Sequence, residues 1–342
     1  MASEGFARPR WLSHIVSHAP DLVVLSLNGP DFQQDSLDIV TSLKSLEELE
    51  LECPRLKSDW TTCLTSLGYL QKLTLTVDAS FRDTLSSQRL RFLCLKSDSR
   101  RERYIQVYRT GFDLKLDLPA LETLQLDCVA RLLVSNSPLL KHVEVDCLNN
   151  DVSFLNPSRT LHFLSLRMQS LDEELHLQPE PFLLPSLNSI QELRLQGRMS
   201  HLSSFVLPGL KSLHMSLEPY PFQGMRDFMK HAPGITSIEW SIAARLDSAW
   251  YRKDGPSPDE IARALGEIIA LCKSLKSVRV VFMDSMDVLF TIANGIMKLQ
   301  KAFPHLDVSL HKDFEVEESD SDLGSDSELE SDSELESDSN SD

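Results

Sequence analysis

One six-residue phrase, apolar-x-x-apolar-x-apolar, recurs along most of the 342-residue chain and constrains its fold more than any other feature. Its eleven copies span residues 22–27, 46–51, 70–75, 90–95, 121–126, 140–145, 161–166, 190–195, 210–215, 235–240 and 275–280. A degenerate copy spans residues 306–310. Consecutive copies begin 19 to 40 residues apart, and self-similarity over such periods is the mark of a repeat architecture.

The second half of each phrase has the alternation of a β-strand. Side chains of a strand point alternately to its two faces, so the fourth and sixth residues of a phrase face inward and the third, fifth and seventh face outward. One such strand cannot bury its apolar face alone, whereas stacked copies bury a continuous core. The sequence therefore predicts an α/β solenoid with one short parallel strand per phrase.

Proline precedes several phrases, at positions 20, 119, 138, 208 and 233. With the irregular spacing, this pattern resembles the repeats of leucine-rich-repeat proteins, in particular the repeat domain of fungal F-box/leucine-rich-repeat proteins. The resemblance implies a horseshoe of about 11–12 repeats in residues 1–312, with a parallel concave sheet and an irregular convex side of helices and turns. A recognisable F-box is absent from the sequence.

The segments that return between strands differ in length and pattern. Apolar residues at helical spacing predict helices near residues 11–16, 37–43, 60–67, 225–229, 257–271 and 286–303. The central returns, in coils of 19–21 residues, leave little room for a helix and are predicted to be short turns or 3₁₀ segments.

Residues 313–342 form a second region of different composition. They hold 14 of the 51 acidic residues and no lysine or arginine, so residues 1–312 carry 37 acidic against 34 basic side chains. From Ser325 the tail reads SDSELE, SDSELE and SDSNSD, which cannot bury a core and predicts disorder. A serine with an acid three residues later resembles the substrate pattern of casein-kinase-2-type enzymes, and such candidate phosphosites are Ser319, Ser325, Ser327, Ser331, Ser333 and Ser339.

Nothing in the sequence supports an enzyme, a cofactor site or a metal site. Phosphate-binding glycine loops, nucleophile elbows and cysteine pairs with zinc spacing are all missing. No apolar run is long enough for a membrane span, and no secretory leader is recognisable. Six cysteines in 342 residues are too few for a disulfide scaffold, which favours the cytoplasm or the nucleus. The nearly neutral body argues against nucleic-acid binding.

The cysteines and one arginine-rich insertion carry further expectations. Cys53, Cys128 and Cys147 follow their phrases by two residues and are predicted to face inward, with Cys128 and Cys147 as neighbours in consecutive coils. Cys94 occupies an outward position and is predicted to be the more accessible thiol. The insertion 99–109 contains four arginines and two tyrosines and is predicted to be a solvated loop. Phosphate or base binding, and contact with the acidic tail, are its alternatives.

Outward strand positions are predicted to bind the partner, because the concave sheet is the one broad surface that the repeat presents. The candidate residues are Glu48, Glu50, Glu52, Lys72, Phe92, Lys96, Asp127, Glu144, Asp146, Phe163, Arg167, Glu192 and Arg194. Phe92 and Phe163 are expected to be exposed beside charges, the usual composition of a binding hot spot.

Two functional hypotheses follow. The first is a monomeric, non-enzymatic scaffold or adaptor that recognises a protein partner; the F-box resemblance implies a substrate-recognition module related to ubiquitin-ligase receptors. The second is a nuclear factor that binds histones or other basic proteins through its acidic tail. Its architecture is similar to that of acidic leucine-rich nuclear phosphoproteins.

Overall fold

A computed structural model describes residues 10–28, 39–52, 65–77, 82–97, 112–147, 155, 160–168, 188–197, 206–217, 222–242, 258–282 and 286–312. The strands are β1 Val24–Asn28, β2 Glu48–Glu52, β3 Lys72–Val77, β4 Arg82–Ser86, β5 Phe92–Ser97, β6 Phe112–Asp117, β7 Thr123–Asn136, β8 His142–Cys147, β9 Phe163–Met168, β10 Glu192–Gly197, β11 Ser212–Leu217, β12 Ser237–Ile242, β13 Ser277–Phe282 and β14 Asp307–Lys312. The helices are α1 Arg10–His18, α2 Phe222–Lys230, α3 Pro258–Leu271 and α4 Met286–Ala302.

Twelve of the strands form one continuous parallel ladder, which we call the main ladder. Its order is β1-β2-β3-β5-β7-β8-β9-β10-β11-β12-β13-β14, so neighbours in space are neighbours in sequence apart from β4 and β6. Each phrase supplies one strand, and equivalent phrase positions pair: Leu49 lies opposite Leu25 on one side and Leu73 on the other. The predicted long parallel sheet is confirmed, and its architecture is compatible with a solenoid.

The inward residues of the strands build the core. Leu93, Leu124 and Val143, the fourth residues of three consecutive phrases, are fully buried and lie in register. They belong to one apolar cluster that extends from Leu12 to Val308. Because each coil covers the core of the one before it, the stack stays closed to water along the described length.

From β2 to β13, every strand of the main ladder begins with the same backbone arrangement, at the edge that we call the leading edge. The amides of Glu47 and Glu48 both donate to the carbonyl of Val23, at 2.8 and 3.0 Å. The next coil repeats the pattern, with Gln71 and Lys72 donating to the Glu47 carbonyl. Equivalent amide pairs recur up to Ser277, so one carbonyl per coil fixes where the following strand starts.

A charged cluster ties three coils together at the leading edge. Glu122 accepts hydrogen bonds from Lys141 Nζ at 2.7 Å and from the Arg91 guanidinium. These bonds, the one from Lys141 first and the one from Arg91 second, lower the pKa of Glu122. Arg91, Glu122 and Lys141 directly precede β5, β7 and β8, so the cluster links the starts of three consecutive strands of the main ladder.

Most helix predictions are confirmed. The structure has α1, α2, α3 and α4 where the helical spacing indicated them. Proline at the first residue of α3 suits a helix start, because the missing amide hydrogen would have no intrahelical partner there. Near residues 37–43 the described part holds only a short helical stretch at 39–40, and most of the segment 60–67 lies outside the described residues.

The prediction of turns or 3₁₀ segments in the central returns is wrong for two of them, which hold β4 and the second half of β7. Strands β4 and β6 and the second half of β7 form a second parallel ladder. Their sequences alternate apolar with polar residues, and the inward side chains Leu85, Leu114, Leu116, Leu132 and Val134 are buried. Side by side, the three segments form hydrogen bonds between their backbone amides and carbonyls. A single segment without such neighbours would leave these groups unpaired.

Strand β7 belongs to both ladders, and its pairing changes where it passes from one to the other. A register shift between Leu126 and Val129 brings Val129, rather than Cys128, opposite Cys147. Cys128 therefore does not occupy the backbone position opposite Cys147 that unbroken alternation predicts, and a buried valine takes that position. Cys53, the insertion 99–109 and the acidic tail with its candidate phosphosites lie outside the described residues.

Candidate partner-binding face

The third, fifth and seventh phrase residues lie on the side of the main ladder opposite the core, which we call the open face. The structure places all thirteen candidate residues on strands of this ladder at these outward positions. They run from β2 to β10 and form three rows across the strands. The register brings them together as one surface, but partner binding by this surface stays a prediction.

The open face begins with the glutamates of β2, and neighbouring side chains offset most of their negative charge. Glu48 pairs with Lys72, and Glu52 pairs with Lys96 in β5, each at 3.3 Å. The hydrogen bond to Glu52 raises the pKa of Lys96. Glu50 accepts a hydrogen bond from the Ser26 hydroxyl at 3.0 Å. Such solvent-exposed pairs contribute little stability, but they hold the side chains in defined positions.

The middle of the open face contains a three-layered stack. The rings of His142 and Phe163 are parallel within 2°, with centroids 4.0 Å apart. The Arg194 guanidinium carbon lies 5.0 Å from the Phe163 centroid, in cation–π range. Because β8, β9 and β10 are in register, these three side chains from neighbouring coils lie next to one another. We call the stack His142–Phe163–Arg194 the aromatic centre.

Carboxylates hold both outer layers of the aromatic centre. His142 Nε2 lies 2.9 Å from Glu144 Oε1, and Arg194 Nη2 lies 2.8 Å from Glu192 Oε1. Gln125 Nε2 donates to the second oxygen of Glu144 at 3.2 Å. The stack is therefore fixed before any partner arrives, which lowers the entropic cost of binding.

The aromatic residues are less exposed than the sequence suggested. Phe92 and Phe163 are half-buried rather than exposed. His142 and Arg194 cover the ring of Phe163, and the Lys72 ammonium lies 5.6 Å from the Phe92 centroid. Because side chains of the neighbouring strands shield these rings from water, the two phenylalanines can lie on a polar face.

A polar network continues beyond the predicted residues. His214 lies 3.6 Å from Glu192 and 3.4 Å from Glu239, and Arg279 lies 3.4 Å from Glu239. These groups lie on β11 to β13, beyond the predicted binding residues, which end at β10. Their signal was present, because His142 is a third phrase residue and His214, Glu239 and Arg279 are fifth phrase residues.

Asp127, Asp146 and Arg167 occupy the seventh-residue row. Asp127 retains solvent-exposed surface, yet desolvation by the surrounding protein raises its pKa, an effect that Lys96 and Arg167 partly offset. Asp127 lies within the register shift of β7 between Leu126 and Val129, where the regular row of the open face is interrupted. The carboxylate is thus placed between two cations that lie on β5 and β9.

Cys94 contradicts the expected accessibility. It lies on the open face as alternation requires, but only 8% of its surface is exposed, and its neighbour in register, Thr74, is buried as well. Burial raises the pKa of the Cys94 thiol to about 11. Burial raises the pKa of Cys272, which follows α3, to about 11 as well.

We expect slow alkylation at Cys94 and Cys272 in the folded protein. Their pKa values rise from 9.0 to about 11, so near pH 8 the thiolate fraction falls by about 100-fold. A short iodoacetamide pulse followed by peptide mass spectrometry would measure the rate at each cysteine, with the urea-unfolded chain as control. Equal rates at Cys94 in the folded and unfolded chain would contradict its burial.

No model of a known protein family matches this chain, and no curated protein does. Within the described ranges, no helix has the length and apolar character of a membrane crossing. Nor do three or more His, Cys, Asp or Glu side chains of those ranges converge as a metal site would require.

Proposed function

We propose that the chain is a non-enzymatic scaffold or adaptor whose open face recognises a protein partner. The observation that carries this proposal is the aromatic centre, a half-buried phenylalanine held between His142 and Arg194. Aromatic and arginine side chains dominate the energetics of protein interfaces when they sit at the middle of a contact. A stack that is already ordered loses little further freedom on binding.

The surroundings of the aromatic centre support a protein partner rather than a small ligand. Charged rows extend on both sides of it, from Glu48 in β2 to Arg279 in β13. Adjacent strands lie about 4.8 Å apart, so these rows reach over several tens of ångströms. A surface of that extent, apolar at one point and polar around it, has the anatomy of a protein interface.

On this proposal the chain is a leucine-rich-repeat protein, and the parallel strand at every repeated phrase supports that assignment. The resemblance to F-box/leucine-rich-repeat proteins makes a substrate-recognition module related to ubiquitin-ligase receptors the specific form of the adaptor. We infer a monomer located in the cytoplasm or nucleus, with neither cofactor nor metal.

A second candidate function rests on the segregation of charge. Fourteen acids and no lysine or arginine in residues 313–342 favour binding of histones or other basic proteins through the tail. The two functions use different parts of the chain. Deleting the tail would abolish the second and preserve partner binding by the open face.

The decisive experiment compares two double variants of the same chemistry. Phe163→Ala with Arg194→Ala removes two layers of the aromatic centre. Tyr69→Ala with Arg89→Ala removes a matched pair at the leading edge, where Arg89 lies 4.6 Å from the ring centroid. Partners would be enriched on each full-length variant, quantified by mass spectrometry, and then tested by calorimetry.

We expect a direct partner to bind the open-face variant at least about thirtyfold more weakly, corresponding to about 2 kcal/mol for a hot-spot pair. The same partner should bind the leading-edge variant with nearly unchanged affinity. Unchanged binding to the open-face variant would refute the assignment of the interface. Loss of basic partners on tail deletion alone would support the second function.

A further inference from the structure

The leading edge of the last four coils is basic, in contrast to the mixed open face. The turns before β11 to β14, with the ends of the helices that lead into three of them, occupy residues 206–211, 230–236, 271–276 and 298–306. They contain two histidines, His231 and His305, and no aspartate or glutamate; the next acid along the chain is the exposed Asp307 at the start of β14. Their six lysines, all exposed, are Lys211, Lys230, Lys273, Lys276, Lys298 and Lys301. We call this surface the basic edge.

Backbone hydrogen bonds bring the basic edge together. The Thr236 amide donates to the Lys211 carbonyl, and the Lys276 amide donates to the Thr236 carbonyl, each at 2.8 Å. The Asp307 amide then donates to the Lys276 carbonyl at 3.0 Å. Helices α2, α3 and α4 end at the same edge, because short turns connect them to the following strands. The lysines therefore lie on successive coils rather than scattered over the surface.

Most of these lysines have no acidic partner among the described residues. Lys230 pairs with Asp227 at 2.8 Å, but the other five make no ion pair within those ranges. The middle coils differ, since Glu122 there neutralises Arg91 and Lys141. Helix dipoles favour cations at helix ends, which accounts for Lys301. They do not account for Lys211 and Lys276, which directly precede strands.

The chain itself contains a segment of the opposite, negative charge. Residues 313–342 follow β14 directly and carry 14 acids without a lysine or arginine. They begin at the opposite end of β14, about 20 Å from the basic edge for a six-residue strand. About seven extended residues bridge that distance, so the tail from about residue 320 onward is long enough to reach it.

We propose that the acidic tail docks in cis on the basic edge. The serine-acid array would lie across the lysines of the last coils, held by several ion pairs that are individually weak. Tethering provides a high effective concentration, so even weak pairs suffice to keep the contact populated. Phosphate on the serines of the array would strengthen it by adding negative charge. The docked tail would thereby exclude other acidic polypeptides from this edge.

Zero-length crosslinking of the full-length chain tests the contact directly. A carbodiimide joins a lysine amine to a carboxylate only when the two groups touch, and peptide mass spectrometry locates each link. We expect links from tail acids to Lys273, Lys276 and Lys301, lost in 0.5 M salt, a condition at which exposed pairs are screened, with a Debye length of about 4–5 Å. A mixture of isotope-labelled and unlabelled chains shows whether the links form within one chain.

A matched pair of triple variants provides the second measurement. Lys273→Gln, Lys276→Gln and Lys301→Gln weaken the basic edge, while Lys44→Gln, Lys115→Gln and Arg131→Gln remove the same charge from exposed positions outside both the basic edge and the open face. Cleavage of the tail by a glutamate-specific protease should become at least about threefold faster in the first variant, as expected from losing three exposed ion pairs. The second variant should match the wild type.

Several results would overturn the proposal. Links that form between chains, or only to Lys72, Lys96 or Lys115, would place the tail elsewhere. Protection that is lost on substituting Arg100, Arg101, Arg103 and Arg109, but not the edge lysines, would assign the tail to the arginine-rich insertion. Equal protease rates in both triple variants and the wild type would show that no docking occurs. None of these outcomes depends on the partner of the open face.

Discussion

Leu124→Ala should lower the free energy of unfolding by about 2–5 kcal/mol, the cost of a large-to-small change in a packed core. Leu124 is fully buried and lies in register between Leu93 and Val143, so the cavity would open in the middle of the stack. Urea denaturation followed by circular dichroism measures the change.

The matched control is the next residue in the same strand. Gln125 is half-buried on the open face and donates one hydrogen bond to Glu144, so Gln125→Ala should cost no more than about 1 kcal/mol. Equal destabilisation by the two substitutions would mean that the strand presents its faces the other way round, and the whole open face would then be misassigned.

Gly209→Ala should destabilise the protein by roughly 1–3 kcal/mol, as expected of an atom forced into a packed contact. Gly209 lies in the turn before β11, where a Cβ atom would approach the backbone oxygen of Asn188 in the preceding coil to 2.3 Å. A backbone oxygen cannot rotate away as a side chain can, so the coils would have to separate. Thermal unfolding measures the effect.

Gly68 provides the control for Gly209. It also lies in a turn before a strand, but a Cβ atom there would meet nothing within 4 Å. Gly68→Ala should therefore leave the midpoint of thermal unfolding unchanged or raise it slightly, because alanine restricts the unfolded chain. A comparable loss of stability in both variants would argue against close contact between successive turns.

The repeated phrase carried enough information to predict the main ladder, because its alternation fixes which residues are buried whatever the length of the return. The second ladder was not predictable in the same way. Segments such as 82–86 are short and indistinguishable from turns until three coils stack them side by side. Their strand conformation depends on pairing between coils, which no single segment encodes.

The site shows the same division between local and tertiary information. Phe163 was predicted from its phrase position, but its stacking on His142 and under Arg194 requires the register of coils that begin 21 and 29 residues apart. For Cys94, alternation gave the correct face, while its burial depends on how closely the strands on either side pack. The position of a residue in the phrase thus predicts which face its side chain lies on, and packing against neighbouring strands determines how much of that side chain is exposed.

The single carbonyl that receives two amides at the start of each main-ladder strand from β2 to β13 makes the molecule modular. The carbonyl that fixes the start of a strand belongs to the preceding coil, so the return between two strands can lengthen without rotating the second strand. The returns of this chain do differ in length, while the rows of side chains on the open face stay aligned. Excision of one complete coil would remove one column of side chains and leave the columns on either side in contact. The side chains of the open face can therefore be exchanged one coil at a time.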